Sequence, residues 1–222
     1  MSADRDDFSR AVGDIEQQAN ARYSTRLAKF GEDPRTLGWD TRAHQWTRFG
    51  ATTAVVDFHG RDVLDIGCGL GDFGIFLEER GLQPASYAGV DINDDLLAVA
   101  ARRFPASRFE RRNVVIAPYE TPVCDVAVML GLVNFRLKDL DNYEYAARAM
   151  DAAFTACREA LVIDMLSDRR TPEYPAEDLV FYFDPARMLA LALERTPWVQ
   201  LHHAYPALPQ REFMLVLRKA SA

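Results

Sequence analysis

Residues 63–77 read VLDIGCGLGDFGIFL. A short apolar run carrying one acid, Asp65, gives way to glycines at 67, 69 and 71, after which an apolar rhythm of helical period begins. Buried strand, bare loop, helix: this order lets a ligand approach the main chain at the carboxyl edge of a parallel sheet, because glycine turns freely and leaves the approach open. The glycines alone fit two nucleotide readings. Gly67, Gly69 and Gly71 form G-x-G-x-G, while Gly69, Gly71 and Gly74 also satisfy the G-x-G-x-x-G of dinucleotide sites. Asp65 weighs against a pyrophosphate and for a ligand with a cationic amino group.

Outward from this stretch, strands and helices alternate. SYAGVDI (86–92) is followed by a helix over 94–104, a weak strand over 108–111, CDVAVMLG (124–131), a helix over 142–158 and ALVIDML (160–166). Short apolar runs separated by helices predict right-handed crossovers and an α/β fold, a Rossmann-like parallel sheet flanked by helices. After a helix over 184–194, WVQLHHAY and EFMLVLRK are joined only by PALPQR, which predicts a C-terminal antiparallel β-hairpin. Residues 1–60 differ in kind: polar and aromatic, they predict helices over 8–29 and 41–58 around the turn-rich GEDPRTLGW. The domain reading is therefore an N-terminal helical cap or lid over 1–60 and a Rossmann-like domain over 61–222.

The chain has 222 residues, 49% of them hydrophobic, enough for one sizeable core. Its formal charge of -7 argues against a phosphate-neutralising surface, so nucleic acid is not an expected partner. Three cysteines, Cys68, Cys124 and Cys157, read as reduced buried thiols and point to the cytoplasm. No export signal or membrane span is expected from the N-terminus MSADRDDFSRAVGD or from any later run. A monomer or homodimer is expected.

VLDIGCGLGDFGIFL with YAGVDIN resembles the first two motifs of the class I S-adenosylmethionine-dependent methyltransferases. The resemblance implies Asp65 near the donor's methionyl amino group, the backbone of Gly67, Cys68, Gly69 and Gly71 against its amino-acid and ribose parts, and Asp91 on both ribose hydroxyls, with Ile92 beside it. Asp91 stands twenty residues after Gly71, at the end of the second strand, where a ribose acid belongs in either nucleotide reading. The family often has an acid after the third strand to accept from the adenine amino group; here that place holds Asn113, with Val114 as the alternative contact through its backbone. After the fourth strand, MLGLVNFRL offers backbone at Leu130 and Gly131 and places Asn134 and Phe135 toward the reactive centre. A narrower likeness, through RYSTRLAKFGEDPRTLGWDTRAHQWTRF, GLVNFRL, FYFDPARMLALALERTPWVQLHHAY and EFMLVLRK, is to a widespread bacterial group of small methyltransferase-like proteins.

Methyl transfer from a sulfonium disperses positive charge, so positioning and desolvation can supply much of the rate. A base helps where the acceptor must lose a proton, and position nominates His44, Asp164, His202 and Tyr205. Asp164 ends the fifth strand and reads equally as a cap; a histidine in a strand is more often a satisfied structural residue than a catalyst. Tyr23, Trp39 and Trp46 lie in the cap and can face a cation, with Tyr174 and Tyr182 opposite them; core packing explains Trp46 equally well. The expected catalytic set is Asn134, Tyr23 and Asp164, with Trp39, Phe135, Tyr174 and Tyr182 bordering the acceptor. Asp139, Asp141 and Asn142 read as a helix cap and not as a metal site. The function expected is methyl transfer from S-adenosylmethionine to a small metabolite in a lidded pocket. The alternatives are attack by the donor's own amine on its γ-carbon, releasing methylthioadenosine, a non-catalytic binder that keeps the donor pocket, and a nicotinamide dehydrogenase.

Overall fold

The computed structural model describes residues 2–170, 176–204 and 212–220. Helix α1 (Ser2–Phe30) runs six residues further toward the N-terminus than the sequence predicts. It stops at Gly31, whose φ of 61° is in the left-handed region and whose N–H closes on the Leu27 carbonyl at 2.8 Å. A 3-10 turn (Pro34–Leu37) follows, capped by the Asp33 carboxylate on the Arg35 N–H. Helix α2 (Arg42–Val55) is capped by Thr41, which accepts from His44 N–H, and ends short of the expected 58 because Val56 is already extended.

Strand β1 (Asp62–Ile66) then leads through the glycine loop into α3 (Asp72–Glu79). Next come β2 (Ser86–Asp91), α4 (Asp94–Arg103), β3 (Arg108–Arg111), β4 (Cys124–Leu130), α5 (Asn142–Ala156) and β5 (Cys157–Leu166). Helix α6 (Pro185–Leu193), β6 (Val199–His202) and β7 (Glu212–Arg218) complete the described chain. Side-chain oxygens of Asn93, Asp141 and Asp184 cap α4, α5 and α6, and Pro185 occupies the first helical position of α6. The sequence expects α5 to reach 158; it yields at Cys157, whose extended backbone pairs with Cys124 and lengthens β5.

The seven strands lie in the order β3-β2-β1-β4-β5-β7-β6. The first five are parallel, and β7 enters antiparallel between β5 and β6, as the expected hairpin requires. Side chains on one face of the sheet, among them Leu64, Met129, Leu161, Ile163 and Leu215, pack on α5 and α6. The other face, with Val63, Val128, Val162 and Val216, packs on α2 and α3 through Phe49, Phe73 and Phe76. Burying aromatics of this kind contributes about 1.5–3 kcal/mol each. Helix α2 thus covers the sheet, whereas α1 packs through Tyr23 and Leu27 on Leu70, Leu96 and Val99 at the edge where β1 and β2 end. No helix among the described residues is long and apolar enough to cross a membrane.

Candidate active site

The loop after β1 is held open by its own backbone. Gly67, Gly69 and Gly71 have φ of 76°, 53° and 74°, a region that side chains disfavour. The amides of Gly67 and Cys68 donate to the Val90 carbonyl at 2.7 and 3.1 Å, which ties the loop to the end of β2. Side-chain ends close over it: a Cβ on Gly67 would meet Leu132 Cδ1 at 2.7 Å, and one on Gly69 would meet Leu37 at 2.8 Å. The thiol of Cys68 turns back onto β2, where its Sγ would stand 2.6 Å from a Cβ on Gly89, so Cys68 offers the crevice only its backbone.

Three carboxylates stand at this edge. Asp91 accepts from the Gly69 N–H at 2.9 Å and the Asn93 N–H at 3.0 Å. Burial raises its pKa and the two amides oppose the rise. Asp65 is 3% exposed and accepts from Tyr87 Oη at 2.5 Å. Desolvation pushes its pKa up to about 7 against that hydrogen bond, with Asp91 and Asp72 adding repulsion. Its second oxygen, Oδ1, has no hydrogen-bond partner among the described residues.

Asp164 is 1% exposed and accepts from the Gly131 N–H at 2.5 Å, so β5 holds the start of the segment after β4. Burial raises its pKa, opposed by the Arg48 guanidinium. Arg48 Nε lies 2.7 Å from Asp164 Oδ2, but its single N–H is directed at Glu212 Oε2, also at 2.7 Å. Asp164 Oδ2 is therefore ion-paired yet lacks a hydrogen bond. Arg48 Nη2 closes on the other oxygen of Glu212, and the guanidinium stacks 4.0 Å from the centroid of Trp39. One buried cation thus stands between two buried carboxylates.

The sequence-nominated residues separate into groups. Tyr23 is brought to the donor edge, its hydroxyl pKa raised by burial and by Asp91. Trp39 is brought to the Arg48 cluster, while Trp46 packs edge-on against Phe76, its centroid 5.4 Å away, in the sheet-covering layer. Val114 is buried in the core below, and Leu130 packs on the opposite face. The Ile92 carbonyl accepts from Arg111 Nε. The Asn113 amide oxygen accepts from Val115 N–H at 3.1 Å, which leaves one lone pair. Asn134 Oδ1 accepts from Leu166 N–H at 2.9 Å, and the Asn134 carbonyl accepts from Phe181 N–H. Phe135 bridges to Val180 and lies under the Arg22 guanidinium at 5.9 Å. Tyr182 Oη accepts from Glu177 N–H.

His44 pairs with Asp40 on α2, and His202 is on the edge strand β6, four strands from β1. Tyr174 and Tyr205 lie outside the described residues. Asp141 caps α5, and Asn142 ties the Leu137 amide to the Phe135 carbonyl, so both serve the loop. Sequence reasoning missed Tyr87, Arg48 and Glu212. Tyr87 shares strand parity with Asp91, four residues on, and Arg48 falls between Gln45 and Thr52 on the buried stripe of α2. A charge inside an apolar stripe was the available signal for Arg48.

Residues 63–152 match the family model described as a methyltransferase domain. Over that stretch the chain is similar to a methyltransferase domain. A search of curated proteins gives no match to this chain. Among solved structures, magnesium protoporphyrin IX methyltransferase from Synechocystis PCC 6803 with bound SAH is 14% identical, with 95% of this chain and 100% of that chain covered and a TM-score of 0.67. An S-adenosylmethionine-dependent methyltransferase from Mesorhizobium loti is 15% identical over 80% of this chain and 99% of that chain, with a TM-score of 0.60. At such identities the likeness shows the fold. The first of these neighbours holds SAH and the second is S-adenosylmethionine-dependent, and the chemistry of the β1–β2 edge in this chain is compatible with such a ligand. The glycine loop offers backbone, and the half-buried Asp91 carboxylate, which accepts from the Gly69 and Asn93 amides, keeps lone pairs for a sugar's two hydroxyls.

Proposed function

We propose that this chain is a methyltransferase acting on a small-molecule acceptor held between α1 and the carboxyl edge of the sheet. When bound, S-adenosylmethionine supplies a methyl group on a sulfonium that is displaced in line. The observation that supports the reading is the pairing of the glycine loop with half-buried Asp91 under the roof of α1. In it, Asp91 takes the ribose hydroxyls, the backbone of Gly67, Cys68, Gly69 and Gly71 holds the amino-acid part, and Ile92, Asn113, Val114 and Leu130 flank the base. Tyr23 and Asn134 position the reacting groups, and Asp164 takes the acceptor's proton. Trp39, Phe135, Tyr174 and Tyr182 border the acceptor. Magnesium protoporphyrin IX methyltransferase, a structural neighbour, has a small-molecule name, which fits this class of acceptor without naming it. The reading includes a cytoplasmic monomer or homodimer that needs neither nucleic acid nor membrane.

A second reading is favoured by Asp65. A carboxylate that only anchors an ammonium works best fully ionised, whereas one with a pKa near 7 and a free oxygen can remove a proton. Placed beside the donor's amine, Asp65 would take the ammonium proton. The freed nitrogen lone pair would then form a bond to the γ-carbon as the carbon–sulfur bond breaks, releasing methylthioadenosine. Incubation with S-adenosylmethionine alone separates the two readings. Steady methylthioadenosine release without an acceptor establishes the cyclisation and overturns methyl transfer. Inertness alone, with adenosylhomocysteine formed on adding a pool of small amines and phenols, supports methyl transfer.

A further inference from the structure

Helix α1 presents Glu16, Asn20, Tyr23, Ser24 and Leu27 at i, i+4, i+7, i+8 and i+11, which is one helical face. That face lies along the donor edge. Ser24 Oγ donates to Asp95 Oδ2 at 2.6 Å, and Asn93 Nδ2 donates to the Asn20 carbonyl at 3.2 Å and to Ser24 Oγ at 3.1 Å. Two turns earlier, Glu16 reaches the end of β3. Its Oε1 pairs with Arg111 Nη2 at 2.9 Å, while Oε2 has only a marginal contact, 3.5 Å from Asn113 Nδ2. Between these points Asn20 Oδ1 is buried and has no hydrogen-bond partner among the described residues. A cavity of about 320 Å³ opens at the same place, lined by Glu16, Arg111, Asn113, Ile116 and Ala117.

The chemistry of this corner is incomplete without a donor group. The Asn113 amide oxygen already accepts from the Val115 N–H, and its Nδ2 faces Glu16. The acceptor standing there is Glu16, whose other oxygen is paired with Arg111. The corner also adjoins the ribose acid, because Arg112 N–H donates to the Asp91 carbonyl at 2.9 Å. A base attached to a sugar on Asp91 therefore extends toward Glu16.

We propose that Glu16 Oε2 accepts from the 6-amino group of the donor's adenine, so that the roof helix and not the segment after β3 supplies purine specificity. This rests on the donor reading above. A carboxylate is an acceptor only, so it welcomes a 6-amino group and repels the 6-oxo oxygen of hypoxanthine. The test is calorimetric titration with S-adenosylhomocysteine and S-inosylhomocysteine. Wild type is expected to prefer the adenosyl ligand by about tenfold or more, the range of a hydrogen bond to a charged group. Glu16→Gln, whose amide can donate to a 6-oxo group, should bring the two affinities within about threefold. Arg111→Gln, which removes the ion pair and keeps the carboxylate, should retain most of the preference and so exclude a purely structural role. An unchanged preference in Glu16→Gln overturns the proposal while leaving the donor reading intact. Failure of wild type to bind either ligand overturns both.

Discussion

Asp91 and Asp65 are neighbours whose pKa values are both raised by desolvation, but Asp91 has more compensation. Asp91 is half-buried and accepts from the Gly69 and Asn93 amides, with lone pairs left for a sugar. Asp91→Ala is expected to weaken adenosylhomocysteine binding by roughly 1.5–3 kcal/mol, read by calorimetry; unchanged affinity would remove it from the site. Asp65, with one phenol for compensation, holds its proton up to about pH 7 in the folded state and releases it near the usual carboxyl value when unfolded. Between those values the folded state binds more protons, so this group's contribution to stability falls as pH rises from about 4 to 7 and is level above. Each pH unit between the two values is worth about 1.4 kcal/mol. Asp65→Asn, which keeps the Tyr87 hydrogen bond, should gain roughly 1–3 kcal/mol over wild type at pH 8 and little at pH 4. Denaturant titrations at both values check this, and a gap that does not change with pH would refute it. Both acids were legible in the sequence, because a ligand acid must stand at a strand end. The state of Asp65 was not, since it depends on Tyr87 reaching across from a strand that begins twenty residues later.

At the scale of elements, the alternation of apolar runs and helical periods announced the sheet, and the close spacing of the last two runs announced their antiparallel pairing. Boundaries were less visible: nothing local distinguishes Cys157 as the last residue of a helix from the first of a strand, and its pairing with Cys124 decides it. The role of α1 was also only partly legible. Its polar composition suggests a cap, but the contacts that lay it along Asn93 and Asp95 are long-range. Leu37, beyond the end of α1, closes over the glycine loop together with Leu132 from the segment after β4, and in the proposed lid reading donor binding should hold α1 down. Trypsin cleavage within 22–35, at Arg22, Arg26, Lys29 or Arg35, should therefore slow several-fold at saturating adenosylhomocysteine, the expected result when a ligand depopulates a locally open state. Mass spectrometry of early fragments measures it. Equal cleavage with and without ligand would uncouple α1 from the site.

Across the whole molecule, Arg48, Asp164 and Glu212 join the second helix, the central sheet and the final described strand in one buried cluster. No sequence window contains more than one of the three, which is why the cluster escaped sequence reading. Arg48→Met removes the guanidinium that both buried carboxylates face and should cost about 3–5 kcal/mol at neutral pH. Asp164 already has a raised pKa, and losing Arg48 raises it further. The deficit should therefore grow as pH rises above the ordinary carboxyl range and shrink as it falls toward pH 5. Chemical denaturation of both proteins at pH 5 and pH 8 tests the sign; an equal deficit at the two values would deny it.

The threading of β7 between β5 and β6 has a consequence for biosynthesis. A nascent polypeptide halted between residues 166 and 212 owns five parallel strands whose member β5 offers an unpaired ribbon of N–H and carbonyl groups to any passing neighbour. Such an intermediate invites edge-to-edge clumping until the missing segment slides in and seals it. Stop codons or frameshifts shortly before that point should yield inclusion bodies in place of a smaller working protein.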